Sequence, residues 1–382
     1  MILSVSQTFL LYHLFKGDHD MNPKIVLIGS GSQFTEFFLQ ELFKYEDFKG
    51  CTLALVDRKP KRLQHEMNMA ESLNNASEWN VRIEGTGDRR KALAGADFVY
   101  VFAAVNQGEA WPKEFELADR YGYTTLEGYT NGPASIGTSI RHVPLVLDIC
   151  VDMEELCPDA WMVLCNNPIP KLQAAVVRHS HIKCVGYCNG HELIEMALEQ
   201  LLEKTDKVKR EDMDAGIVER EFMVPKGNLI LTLAGINHFQ WILHLRDSQT
   251  GEDLYDLLKE QIQKPEKIPN DYAFSAELTN VFGLFPSPGD LHIMDVTWFA
   301  DREDQIRYNI HPFNPSDWFG MRQAGDWETI AAQYKDKKAA LKFIHERRTG
   351  WMYLQIARYL MGGSQEYFPA LNLKNSGAIS NL

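Results

Sequence analysis

Four stretches of this chain carry residue types that could do chemistry. Residues 29–34 read Gly-Ser-Gly-Ser-Gln-Phe, after a short apolar run and before a helical pattern. Gly29 permits a tight turn there, and Gly31 lets backbone approach a pyrophosphate closely. Ser32 and Gln33 fall where a helix N-terminus offers unpaired N–H groups and the positive end of its dipole. The third glycine of the usual fingerprint is replaced by Phe34. Asp57 ends the next apolar run, where an acid accepts both ribose hydroxyls and repels a 2′-phosphate. That favours NAD over NADP, although the adjacent Arg58 softens the preference. A plain glycine turn in another α/β protein is the alternative. Cys188 and His238 are the other two candidates. A thiolate and an imidazole are both metal ligands, but two residues fifty apart form no zinc motif. By spacing alone, a small core hydrophobe and a satisfied core histidine remain open.

The elements that must position these residues follow from the hydrophobic pattern. Residues 24–29, 51–56, 80–84, 97–103, 162–165 and 182–187 read as strands. Helical spacing falls between them over 33–45, 60–74 and 139–156, with Pro144 near the start of the last. A helix over about 192–204 follows the last strand. Alternation of this kind predicts a Rossmann-like, doubly wound parallel sheet. Asp57, Asn167 and Cys188 all fall just past strand ends, the edge where ligands bind in such sheets. After a charged stretch at 204–220 the texture changes. Antiparallel strands are expected over 221–246, a helix over 252–265, and mostly helix over 325–362. We therefore expect an N-terminal extension at 1–21, an NAD-binding domain at 22–190 and an α+β substrate and metal domain at 191–382.

Composition narrows the classes. A length of 382 residues suggests two or three domains, and 45% hydrophobic with 24% charged residues excludes global disorder. The net charge is −13, and no basic stripe exceeds Lys59 to Arg62, which argues against nucleic acid and against an anionic membrane as partner. Six cysteines do not make a disulfide framework and fit a reducing compartment. No continuous apolar run reaches the ~20 residues of a bilayer span. The apolar cluster Phe9, Leu10, Leu11, Leu14 and Phe15 lacks the basic residues that precede a signal peptide's core. Our reading is that Met21 begins the folded domain, with a surface-packed N-terminal helix as the alternative.

Several segments, taken in order, resemble the family 4 glycoside hydrolases, the NAD- and metal-dependent glycosidases. They are Lys24–Ser32, Asp57, Gly132–Ile149 with Arg141-His-Val-Pro, Asp152–Ala160 leading to Asn167-Pro168, Val185–Cys188, and Gly235-Ile-Asn-His-Phe-Gln-Trp241. The resemblance covers roughly residues 22–382. It implies a lactate/malate dehydrogenase-like architecture and a redox hydrolysis. In that route NAD⁺ takes a hydride from C3 of the sugar, a base removes the acidified C2 proton, and the aglycone leaves by elimination. Water then adds and the hydride returns. The resemblance also implies a divalent metal, often Mn²⁺, on Cys188 and His238, stabilising enediolate charge. Asn167 would bind sugar hydroxyls, with Asn189, Arg141 and Asn131 in the substrate pocket. Helix-capping and surface roles are the alternative for Arg141 and Asn131. A cytoplasmic homodimer or homotetramer acting on a small glycoside completes the expectation.

The chain departs from the family in three places. Cys188 is followed by Asn189-Gly190-His191, and an amide cannot serve as a general acid. The Gly190-His191 pair does not match the Ile-Pro pattern of 6-phosphoglucoside members, which favours an unphosphorylated glycoside or a uronide. Phospho-sugar members use a tyrosine as base, but Phe285–Asp295 contains none. Asp290 and His292 are the polar groups best placed to substitute, with Asp290 as a turn cap after Gly289 the structural alternative. Asn372–Leu382 resembles a family segment after which a strand-rich stretch follows, so the expectation is either a second domain shorter in this lineage or a truncated chain. Two rival readings remain: an NAD-dependent 2-hydroxyacid dehydrogenase on the same scaffold, and a non-catalytic NAD- or sugar-binding relative.

Overall fold

The computed structural model describes residues 22–203, 228–310, 331–346, 353–361 and 372–373, less positions 33, 124, 125, 127, 129, 131, 189, 298, 301, 332 and 333. Met21 and the alternative N-terminal helix, the charged stretch 204–220, and the candidates Gln33, Asn131 and Asn189 lie outside these residues.

Six strands form the parallel sheet: β1 (Lys24–Ile28), β2 (Thr52–Val56), β3 (Arg82–Thr86), β4 (Phe98–Val101), β5 (Trp161–Leu164) and β6 (Lys183–Gly186). Their spatial order is 3-2-1-4-5-6, the doubly wound arrangement, with Asn372–Leu373 paired antiparallel outside β6. The strands read as apolar runs because both faces are covered. Ile25, Leu27, Leu53, Leu55 and Tyr100 face one core, while Val26, Ile28, Ala54, Val56 and Val99 face the other. The period of two sorts one apolar run into two cores.

Helices α1 (Thr35–Leu42) and α2 (Pro60–Ser77) supply Phe38, Leu39, Leu42, Met69 and Leu73 to the first core. Helix α3 (Arg89–Leu93), helix α5 (Gly132–Leu156) and helix α6 (Ile169–His179) cover the second. Between α3 and α5 lies α4 (Gln107–Arg120). Sequence periodicity missed α4, which contains Pro112, and started α5 seven residues late. Helix α5 runs through Pro144. Proline removes one ladder bond, but Val146, Ile149, Cys150 and Met153 bury the helix against the sheet and outweigh that loss. Among the described residues, α5 alone is long and apolar enough to cross a bilayer. The sequence showed no continuous run because Arg141, His142 and Asp148 interrupt it. In the fold it is a core helix.

The second unit begins with α7 (Gly190–Leu201), whose Ile194, Leu198 and Leu201 join its core. Strands β7 (Leu229–Ile236) and β8 (Phe239–Asp247) form an antiparallel hairpin, and β8 pairs with the short β9 (Pro286–Ser287). Helix α8 (Tyr255–Gln261) packs Leu258 beneath the hairpin. Helices α9 (Ala273–Phe282) and α10 (Asp290–Val296) share a small core of Phe274, Leu278, Ile293 and Met294 with Leu126.

The chain then returns to the first unit. Tyr334, Phe343, Ile344, Tyr353, Leu354 and Ile356 join the core under β1 and β4. Two helices of this segment are α11 (Lys337–Glu346) and α12 (Gln355–Leu360). Gln40 donates to the Phe343 carbonyl at 2.5 Å and Glu41 accepts the Leu354 N–H at 3.0 Å. Residues grouped by sequence texture with the second domain thus complete the core of the first.

Candidate active site

The carboxyl edge of the parallel sheet carries the cofactor end of the site. Gly29 follows β1 with φ at +86°, and a Cβ there would lie 2.5 Å from backbone atoms of Ala103. Only glycine lets the turn press against the end of β4. Ser32 Oγ accepts the Phe34 N–H at 3.3 Å, just before α1 begins. Asp57, just past β2, accepts the Gly31 N–H at 2.8 Å and the Lys59 N–H at 2.7 Å. Arg62 reaches the Gly31 carbonyl at 3.4 Å. The glycine turn and the acid therefore meet, as their spacing implied.

The second cluster forms past β6. Cys188 Sγ stands 3.5 Å from His238 Nε2, bringing together two residues fifty positions apart. His238 lies in the two-residue connection between β7 and β8, with φ at +64°. A left-handed conformation costs a non-glycine residue about 1 kcal/mol or more, and such strain collects at functional sites. Gly235 makes the hairpin possible: a Cβ there would come within 2.4 Å of the Phe239 carbonyl. His238 Nδ1 pairs with Thr130 Oγ1 at 2.7 Å, and its ring centroid is 4.4 Å from that of His292. Burial pushes the Cys188 thiol up. The charge of His238 and hydrogen bonds from His238, the Gly190 N–H and Asn237 act against it, and the thiol ends below its ordinary value.

Helix α10 organises the rest. Asp290, buried at its start, accepts the N–H groups of Phe274 and Ser275 at 2.7 and 2.8 Å and the Ser275 hydroxyl at 2.5 Å. These bonds fix the start of α9. Burial pushes this carboxyl up to about 7, opposed by the same three bonds. The two groups that sequence reading paired as substitutes for the base therefore part: Asp290 ties two helices together, and His292 faces His238. One turn later, Asp295 accepts the Leu126 and Gly128 N–H groups at 3.0 and 2.9 Å, gripping the loop that carries Thr130. Thr130, Asn237 and Asp295 were not singled out from sequence. Asn237 and Asp295 lay inside motifs quoted above, but nothing in their spacing marked a role.

Asn167 follows β5. Its Oδ1 is buried with no partner among the described residues, as is Oδ1 of Asn237. Arg141 is placed differently from expectation. Its guanidinium pairs with Glu114 and donates to the Val105 carbonyl at 3.0 Å, with Gln107 and Thr138 at 3.5 Å. These contacts brace the loop after β4 from behind. Among the described residues no group of three or more His, Cys, Asp or Glu side chains is arranged to hold a metal. The protein side of a metal site here is two residues, a thiolate and an imidazole, beside two unpartnered amide oxygens. That donor set fits a cation whose remaining positions go to substrate and water oxygens.

Two family models match the chain: Family 4 glycosyl hydrolase over residues 24–204, and Family 4 glycosyl hydrolase C-terminal domain over residues 233–382. The chain belongs to glycosyl hydrolase family 4. An alpha-galactosidase of Bacillus subtilis is 32% identical over 366 residues, covering 94% of this chain and 78% of that protein. Among solved structures, Bacillus subtilis lplD superposes with a TM-score of 0.70 at 20% identity, over 90% of this chain and 77% of that one. The 6-phospho-beta glucosidase of Thermotoga maritima, solved with manganese, NAD+ and glucose-6-phosphate, gives 0.63 at 16% identity, over 88% and 72%. At these identities the structures establish the shared fold: a Rossmann-like domain with an antiparallel second unit. As a family 4 member the protein is a glycoside hydrolase. The matched regions contain both Cys188 and His238.

Proposed function

We propose that this glycosidase cleaves a small, unphosphorylated glycoside or a uronide by C3 oxidation, C2 deprotonation and elimination, using NAD and one divalent cation, Mn²⁺ by preference. The observation that carries the reading is the Cys188–His238 pair, held at 3.5 Å on the same sheet edge as Gly29, Gly31 and Asp57. An alpha-galactosidase among the relatives supports an unphosphorylated sugar, and a 6-phospho-beta glucosidase solved with manganese, NAD+ and glucose-6-phosphate supports the cofactor and the cation.

Cys188 and His238 would hold the cation, and the Gly29–Ser32 turn with Asp57 would hold the pyrophosphate and ribose. When bound, NAD supplies a reversible hydride acceptor for C3, and the cation supplies Lewis acidity at O2 and O3. In the tautomer that donates Nδ1–H to Thr130, His238 turns its Nε2 lone pair toward Cys188. Asn167 Oδ1 accepts a sugar hydroxyl, satisfying an oxygen otherwise buried alone. His292 takes the C2 proton once C3 is a ketone and gives it back after water has added at C1. An imidazole serves here because Asp290 is already committed to the start of α9. A cytoplasmic homodimer or homotetramer belongs to the same proposal, since the thiolate ligand must stay reduced.

The test is incubation with NAD⁺, Mn²⁺, reductant and a panel of nitrophenyl glycosides and uronides in D₂O. Deuterium at C2 of the released sugar, without net NADH, is the expected result. Release with C2 protium throughout, or steady NADH from a hydroxyacid, overturns it.

A further inference from the structure

Histidine 142 takes no part in the chemistry above, yet it joins two loops of the site. It lies on α5 and is 1% exposed. Its Nε2 accepts the Val105 N–H at 3.0 Å, and its Nδ1 lies 2.6 Å from the Asn167 carbonyl oxygen. A peptide N–H only donates and a carbonyl only accepts. The ring must therefore be neutral, with its proton on Nδ1 and a bare Nε2. Val105 belongs to the loop after β4, and Asn167 to the loop after β5. The ladder between these two strands runs to Val101 and Leu164, with one further bond from the Cys165 N–H to the Val101 carbonyl. Past that point the backbones part, and side chains carry the connection: Asn166 to the Ala103 carbonyl at 3.0 Å, and His142 to both loops. The preceding residue, Arg141, holds the Val105 carbonyl at 3.0 Å. Consecutive residues of one buried helix thus grip the N–H and the C=O of the same residue.

We propose that His142 is a positioning residue: its neutral ring is a spacer of fixed length that sets Asn167 against the loop after β4, and so sets the sugar against the cofactor side of the site. Asn167 bears a carbonyl held by His142 and an Oδ1 free of any bond among the described residues, so the ring fixes the main chain while the side chain remains available. Burial lowers the pKa of His142, with the Asn167 carbonyl opposing; among charged neighbours Arg141 lowers it further and Glu114 raises it. A second proton would set an Nε2–H against the Val105 N–H, so the link exists only in the neutral form.

This proposal rests on the sugar-binding role of Asn167, so the experiment has one arm that does not depend on it. Long-range ¹H–¹⁵N spectra of the holoenzyme, with His142 assigned from the resonance missing in His142→Asn, read the tautomer directly. The expected pattern is a protonated Nδ1 and a bare Nε2 throughout about pH 6 to 8. An Nε2–H tautomer or an imidazolium in that range overturns the link, whatever the enzyme hydrolyses. The second arm is kinetic, on the glycoside that passes the deuterium test. His142→Leu is expected to raise KM for the sugar by about tenfold or more, as misplaced positioning groups do, with the NAD Kd within about twofold. In His142→Asn the side-chain amide stands near the position of Nδ1 and still donates to Asn167. It should recover KM to within about threefold of the parent protein, whereas His142→Gln, which reaches only toward Val105, should not. Equal KM for Leu, Asn and Gln variants of unchanged melting temperature overturns the positioning role. If no glycoside is cleaved by the parent protein, the proposed function fails while the spectra still decide the link.

Discussion

The proposed cofactor end of the site and its proposed metal end are assembled in different ways. Gly29, Gly31 and Asp57 sit at the ends of two neighbouring strands, and the Asp57 carboxylate accepts the Gly31 N–H across them. The metal end draws on four separate stretches of chain: Cys188 past β6, His238 from the hairpin, Thr130 from the loop after α4, and His292 with Asp295 from α10. At the first end, local sequence sets local geometry. At the second, each side chain is oriented by a residue from a different element, so removal of one support disturbs the others. The comparison teaches that damage at the cofactor end should stay confined, while damage at the metal end should spread.

The largest effect expected is from Cys188→Ser. Loss of the thiolate should lower Mn²⁺ affinity by at least the roughly 100-fold that removal of a supporting residue can cost and abolish hydrolysis, while NAD binding stays within about twofold. Unchanged Mn²⁺ binding in that variant, measured by metal titration, would remove the thiolate from the site. His292→Asn should come next, slowing C2–H exchange by about 10²–10⁴-fold at an unaltered melting temperature. Its neighbour gives the contrast that sharpens the argument. Asp290→Ala removes a buried carboxylate from three donors and should cost about 2–4 kcal/mol of stability. The molecules that remain folded should still exchange C2–H. A normal melting temperature with lost exchange would make Asp290 the base instead. At the cofactor end, Asp57→Asn should weaken NAD by about tenfold and narrow its advantage over NADP, leaving Mn²⁺ affinity alone.

The smallest effect on activity comes from a pH dependence of stability set beneath the cofactor end. Burial pushes the Glu41 carboxyl from 4.5 up to about 8, against the Leu354 N–H and the charges of Lys44 and Arg358. A raised folded-state pKa means that protonation favours the folded state. The contribution is complete below about pH 4.5 and is lost as pH rises through about 8. Thermal melts from about pH 5 to 9 should show that decline, and Glu41→Gln should flatten it. A steeper decline in Glu41→Gln would contradict the assignment. The group matters to the comparison because it lies where the C-terminal segment docks beneath the cofactor end, a long-range contact in a region otherwise built locally.

How much of this was legible differs by region for physical reasons. The six parallel strands announced themselves as apolar runs, because burial on both faces demands apolar residues at every position. The helices Gln107–Arg120, Ala273–Phe282 and Asp290–Val296 did not, because each is short or carries a proline or glycine nearby, and packing stabilises it more than propensity does. Asp290 looked like a base because an acid beside a histidine is ambiguous in one dimension. Only the approach of Phe274 and Ser275 showed that it accepts three hydrogen bonds at the start of α9. Arg141 was read as a pocket candidate or a capping residue, and its pairing with Glu114, from another helix, was invisible in its spacing.

Residue type and spacing by themselves determined the doubly wound sheet, the glycine turn with its acid, and the ordered motifs that place the chain in family 4. These are matters of one strand, one turn or one motif, where neighbours in sequence are neighbours in space. The tertiary structure decided that Cys188 meets His238, that Asp290 and His292 part company, that His142 bridges two loops, and that the C-terminal helices complete the first core. Each of these depends on the angle at which separate elements pack, and that angle is set by the summed burial of two cores rather than by any residue at the site.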